Sequence, residues 1–103
     1  MDAGSAVAGC GPAFVDLFLE AMADGGVACG LSRPMALECA AQTLIGAAKL
    51  MLETGTHPGA LKDAVCSPSG ATIQGVRALE AGGFRSAVME AVIAAYEKSA
   101  EMK

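Results

Sequence analysis

Between Ser32 and Gly55 the sequence writes a helix with almost no polar side. Ala36, Leu37, Cys39, Ala40, Ala41, Leu44, Ile45, Ala47, Ala48, Met51 and Leu52 cover most of its circumference. Ser32 is placed to cap its start, Pro34 falls in its first turn and Gly55 stops it. A helix apolar nearly all round must be covered on several sides. A chain of 103 residues has little material with which to do so. The cover is therefore expected from a second copy of the chain.

The rest of the sequence is helical in the same sense. No stretch alternates apolar and polar residues over strand length, Trp is absent and Ala is abundant. A first helix is predicted from about Asp2 or Pro12 to about Cys29, with Phe14, Leu17, Phe18 and Met22 on its apolar face. Pro58 opens a short third helix ending near Cys66. Ser67 and Pro68 read as N-cap and first residue of a fourth, which ends at Gly82-Gly83. A fifth runs from about Phe84 towards the C-terminus. The fold class is all-α, with about five helices in one domain.

Composition excludes several partners. Net charge is −4 and no basic stripe exists, which argues against nucleic acid and against an anionic membrane surface. The uncharged run from Ala3 to Val15 is too short to span a bilayer and contains Gly9, Gly11 and Pro12. No basic region precedes it, as a secretion signal requires. The chain reads as soluble and cytoplasmic. Cys10, Cys29, Cys39 and Cys66 show no paired spacing and His57 lies far from them in sequence, so no metal site is expected. They read as four buried, reduced thiols. Asp16, Glu20 and Asp24 recur at i, i+4, the pattern of a solvated face. His57 reads as the cap of the short third helix.

One segment has the makings of a binding site. Behind the predicted cap at Ser67, the backbone N–H groups of Ser69, Gly70 and Ala71 have no intrahelical acceptor and lie at the positive end of the helix dipole. Gly70 leaves room for a ligand. Ser67, Ser69 and Thr72 add hydroxyls. Such a terminus suits a carboxylate, although a plainly capped helix has the same sequence. The run from Gly9 to Phe14 is not a dinucleotide loop: it has Phe at the last glycine position, a Pro inside and no strand before it.

Several motifs, in order and without gaps, resemble the Δ1-pyrroline-5-carboxylate reductases. Leu61-Lys-Asp63, Ser67-Pro-Ser-Gly-Ala-Thr-Ile73 and Leu79-Glu-Ala-Gly-Gly-Phe-Arg85 follow that family's signature. So do Gly9-Cys-Gly-Pro-Ala-Phe14, Glu20-Ala-Met-Ala-Asp-Gly-Gly-Val27 with Gly30-Leu31 and Arg33, Ala40-Ala-Gln-Thr43, and His57-Pro58. The resemblance implies a C-terminal domain of the 6-phosphogluconate-dehydrogenase type, interlocked with a second copy into an intertwined helical homodimer that assembles further in some members. It implies reduction of the C=N bond of 1-pyrroline-5-carboxylate to L-proline with NADPH or NADH. It implies that Ser67, Ser69, Gly70, Ala71 and Thr72 bind substrate, with Thr72 as the catalytic hydroxyl at the ring nitrogen. The dinucleotide-binding domain of such enzymes is not recognisable in these residues, so the chain alone is expected to hold no cofactor and to be inactive. The rival reading is a stand-alone helical assembly module. Two residues depart from the pattern: Ser69 stands where glycine is usual and Cys10 where serine is commoner.

Overall fold

The computed structural model describes residues 2–101. Helix α1 (Ala3–Ser5) is capped by Asp2, whose carboxylate accepts from the Ser5 backbone N–H at 2.7 Å. A π-helical turn (Ala6–Cys10) joins it to α2 (Gly11–Ala28), so the three pieces form one 26-residue rod. The π turn ends just before Pro12, whose ring would collide with the carbonyl four residues back in regular α-geometry. The wide turn lets the helix pass through that proline rather than start at it. Both predicted starts, Asp2 and Pro12, thus mark real features of one helix.

The rod ends in a Schellman motif. The Leu31 N–H donates to the Gly26 carbonyl and the Gly30 N–H to the Val27 carbonyl, both at 3.0 Å, with Gly30 at φ 109°. Helix α3 (Arg33–Thr54) then folds back, capped by the Ser32 hydroxyl and closed by Gly55 in the left-handed region. Gly26 faces Ala36 of α3 so closely that a Cβ at 26 would lie 3.3 Å from the Ala36 Cβ. Small residues at this crossing let the α2–α3 pair form the main tertiary contact of the protomer.

Helix α4 (Pro58–Ala64) is capped by His57, whose Nδ1 accepts from the Gly59 N–H at 2.9 Å, as the sequence suggests. Helix α5 (Ala71–Ala81) and helix α6 (Phe84–Glu101) are joined by the Gly82–Gly83 turn. Arg85 and Glu80 pair across it at 3.0 Å. Helix α6 lies against the π turn, α5 and α2. No strand occurs among the described residues.

The protomer is open. Its radius of gyration is 15.6 Å, against about 13 Å for a compact chain of this length. Its described core consists of Ala6, Ala23, Ala36 and Ala40, with no large side chain fully buried. Accessible surface is 7411 Å², about 2,100 Å² more than a folded monomer of this mass exposes.

That openness corrects one expectation. The thiols are free, but Cys29 and Cys39 are exposed and Cys10 and Cys66 only half-buried. One protomer has too thin a core to enclose them. A second expectation needs restating. The spans Ala3–Ala28 and Arg33–Thr54 are each long and apolar enough to cross a membrane by length and composition. The uncharged run stops at Val15, but the helix continues.

Candidate functional site

The segment between α4 and α5 departs from the sequence reading in an instructive way. Ser67 is not a helix cap and Pro68 is not a first helical residue. Ser67, Pro68, Ser69 and Gly70 form a β-turn, closed by the Gly70 N–H donating to the Ser67 carbonyl at 3.1 Å. Ser69 sits at φ 56° in the third place of that turn, where a left-handed backbone is needed. Helix α5 begins three residues later than expected, with Gly70 as an extended N-cap at φ −78° and ψ 172°. A turn followed by an extended residue cannot share helical dihedrals with Ser67, and that is why the cap moves.

The outcome is a helix start without a side-chain cap. The free donors are the N–H groups of Ala71, Thr72 and Ile73, not the set beginning at Ser69. Of the five expected substrate residues, Ala71 and Thr72 present first-turn N–H groups, Gly70 is the cap, and Ser67 and Ser69 belong to the turn. The structure therefore gathers all five into one short stretch, in which all but the half-buried Gly70 are exposed. Neither acidic nor basic residues stand in the first turn of α5. The dipole is the main source of positive potential there.

The packing at Gly70 is close. A side chain there would project into the Ser67 hydroxyl and lie 3.3 Å from the Ser67 carbonyl oxygen. The glycine that the sequence suggested for ligand access is thus also required by the turn.

A second feature is a groove of about 670 Å³ between α2 and α6, to which Leu79 of α5 also contributes. Phe14, Leu17, Phe18, Phe84 and Val88 line it. Phe18 and Phe84 meet at 5.7 Å between ring centres, tilted by 49°. The α2 side of this groove was legible as an apolar helix face. Its pairing with Phe84 was not, because nothing in local periodicity couples residues 66 positions apart.

Asp16, Glu20 and Asp24 are exposed, Asp24 pairs with Arg33 across the α2–α3 turn, and no metal-ligating cluster exists among the described residues.

Residues 1–102 match the family described as pyrroline-5-carboxylate reductase dimerisation. The chain belongs to that family. It is 57% identical to pyrroline-5-carboxylate reductase of Methanosarcina acetivorans over 99% of this chain and 38% of the relative. It is 55% identical to the Escherichia coli enzyme over 93% of this chain and 36% of that one. The crystal structure of Plasmodium falciparum pyrroline carboxylate reductase with NADP bound superposes with a TM-score of 0.93 at 42% identity, covering 99% of this chain and 39% of that one. The chain thus spans well under half the length of the pyrroline-5-carboxylate reductases it matches. The all-helical fold expected from the sequence is the fold of the matched part of the Plasmodium structure.

Proposed function

We propose that these residues form the dimerisation and substrate-carboxylate half of a reductase that converts 1-pyrroline-5-carboxylate to L-proline. The observation that carries this reading is the uncapped first turn of α5, flanked by Ser67, Ser69 and Thr72. Three backbone donors and a helix dipole suit a carboxylate better than a neutral ring. With the carboxylate on the Ala71, Thr72 and Ile73 N–H groups, the Thr72 hydroxyl is the side-chain group assigned to the ring nitrogen. Its role is to hydrogen-bond the nitrogen as the C=N bond is reduced to an amine.

The nicotinamide, NADPH or NADH, supplies the hydride when bound. The described residues contain no strand-to-helix glycine turn of the kind that cradles a pyrophosphate. No cofactor contact is assigned to them, and the dinucleotide site is attributed to the remainder of the enzyme. That the structurally similar Plasmodium protein has NADP bound supports a nicotinamide dinucleotide as the cofactor.

The partner is a second copy. The surplus surface of about 2,100 Å² per protomer doubles to about 4,200 Å², within the range of obligate dimers. A lipid environment fits worse: Asp16 and Glu20 lie in the middle of the first span, where each would cost about 3 kcal/mol in a bilayer. Four free thiols suit a reducing cytoplasm.

The test is NADPH oxidation with pyrroline-5-carboxylate. The 103 residues alone should give no turnover. The same residues joined to a dinucleotide-binding domain of this family should give it. Failure of the joined enzyme, with both parts folded and the nucleotide bound, would leave the rival reading of an assembly module.

A further inference from the structure

Ser69 is the only described residue other than glycine with a left-handed backbone. The residues around it also carry the local signature of a different conformation. Ser67 is a strong N-cap and Pro68 a favoured first helical residue. Pro68 has a fixed φ that serves both the observed turn and a helix. If Ser69 and Gly70 moved to the right-handed region, α5 would lengthen back to Ser67. Little tertiary packing opposes that change, since α5 packs chiefly on α6 and α4 makes no extensive contact with another helix of the protomer.

The two states differ in what they offer a ligand. In the observed turn the N–H groups of Ala71, Thr72 and Ile73 are free. In the lengthened helix they would donate to the carbonyls of Ser67, Pro68 and Ser69, four residues back. The donors that face the carboxylate in the first state are consumed in the second.

We propose that Ser69 is a positioning residue that holds the carboxylate turn in balance with this lengthened helix, so that substrate binding draws the turn from a mixture. The inference rests on the reading that α5 receives the carboxylate. Serine shifts the balance because it has a Cβ. Left-handed geometry disfavours such a residue about five- to thirty-fold relative to glycine. Glycine also weakens a helix by roughly twofold relative to serine. Both effects favour the turn for glycine, the residue usual in the family pattern at this place, and favour the helix for serine.

Three forms of the full chain in its oligomeric state decide the matter: the natural sequence, Ser69→Gly and Ser69→Ala. Backbone NMR without ligand is the first measurement. Natural protein and Ser69→Ala should show exchange at residues 69–73 between turn and helix shifts, and Ser69→Gly should show the turn alone. A single, identical turn in all three would overturn the proposal. Titration with L-proline is the second. Because only the turn binds, Ser69→Gly should bind tighter by the inverse of the turn population measured in the natural protein. Ser69→Ala keeps the Cβ and loses the hydroxyl, so it should not gain affinity, and any loss confined to it measures the contact of the Ser69 hydroxyl with the carboxylate. Equal weakening in both variants would show a hydroxyl contact instead and overturn the proposal. Proline binding that leaves residues 69–73 unperturbed in all three forms would remove the carboxylate reading, while the ligand-free exchange would still decide whether the turn has two states.

Discussion

The Ser67 hydroxyl occupies the space into which a side chain on residue 70 would project. The two residues also share the hydrogen bond that closes the turn. Gly70→Ala must push the Ser67 side chain aside and strain the carbonyl behind it. It also places a poor N-cap at the start of α5. We expect a stability loss of about 1 kcal/mol and, in the complete enzyme, a raised KM for the carboxylate substrate. Denaturant unfolding and steady-state kinetics check both. Unchanged stability and KM would show that the turn relaxes freely.

Leu17 lines the groove between α2 and α6 and is 66% exposed in the protomer. On a monomer, Leu17→Lys would be an ordinary surface change worth about 0.5 kcal/mol or less. On a dimer whose partner fills the groove, it buries a charge against apolar residues. Sedimentation at low micromolar concentration should find the natural chain as a dimer or a multiple of one. The variant should be dissociated or unfolded. A dimeric Leu17→Lys protein with unchanged melting temperature would place the interface elsewhere.

What the sequence revealed and what it concealed have separate physical causes. Helix α3 was legible because its apolar circumference and its caps, Ser32 and Gly55, are local signals. The His57 cap of α4 was legible for the same reason. The start of α5 was not. Ser67-Pro68 carries the local signature of a helix start, and it lost to a turn that only the φ of Ser69 reveals. One signal pointed to it: the family pattern has glycine at 69, the residue suited to a left-handed position. The burial of the cysteines was misjudged because the apolar composition suggested a thick core, whereas the described core of the protomer is four alanines. The five expected site residues still fall together, since contiguous sequence keeps them together whether the segment is turn or helix.

Asp2 gives a pH-dependent handle on the N-terminal end of the rod. Its carboxyl is held below the ordinary value of 3.8, first by the Ser5 backbone N–H and then by the Ser5 hydroxyl. A lowered folded value means the cap is fully present above pH 3.8 and is lost as pH falls through that lowered value. The Ser5 amide resonance should therefore titrate with a midpoint below 3.8. A midpoint at or above it would mean that the cap is not formed in solution. The group is fully exposed, so the melting temperature should barely follow it.

Ser67 and Thr72 separate binding from chemistry. In the observed turn Ser67 does not cap α5, so Ser67→Ala should leave stability within about 0.5 kcal/mol of the natural protein. Were Ser67 the cap, as its sequence context suggests, the same change would cost about 1 kcal/mol. Its effect in the complete enzyme should fall on KM, through a carboxylate site with one hydroxyl fewer. Thr72→Val keeps the side-chain shape and removes the hydroxyl. If that hydroxyl stabilises the nitrogen chiefly as the C=N bond is reduced, kcat should fall on the order of 10²-fold while KM changes little. The two losses then have different signatures, because an interaction made only in the transition state lowers kcat and kcat/KM together. Steady-state kinetics on both variants, with the melting temperature measured alongside, resolves them. Natural kcat in Thr72→Val would remove Thr72 from the chemistry and leave its backbone N–H as its one contribution. A rise in KM with kcat unchanged would make the hydroxyl a binding group, equally engaged before and during reduction.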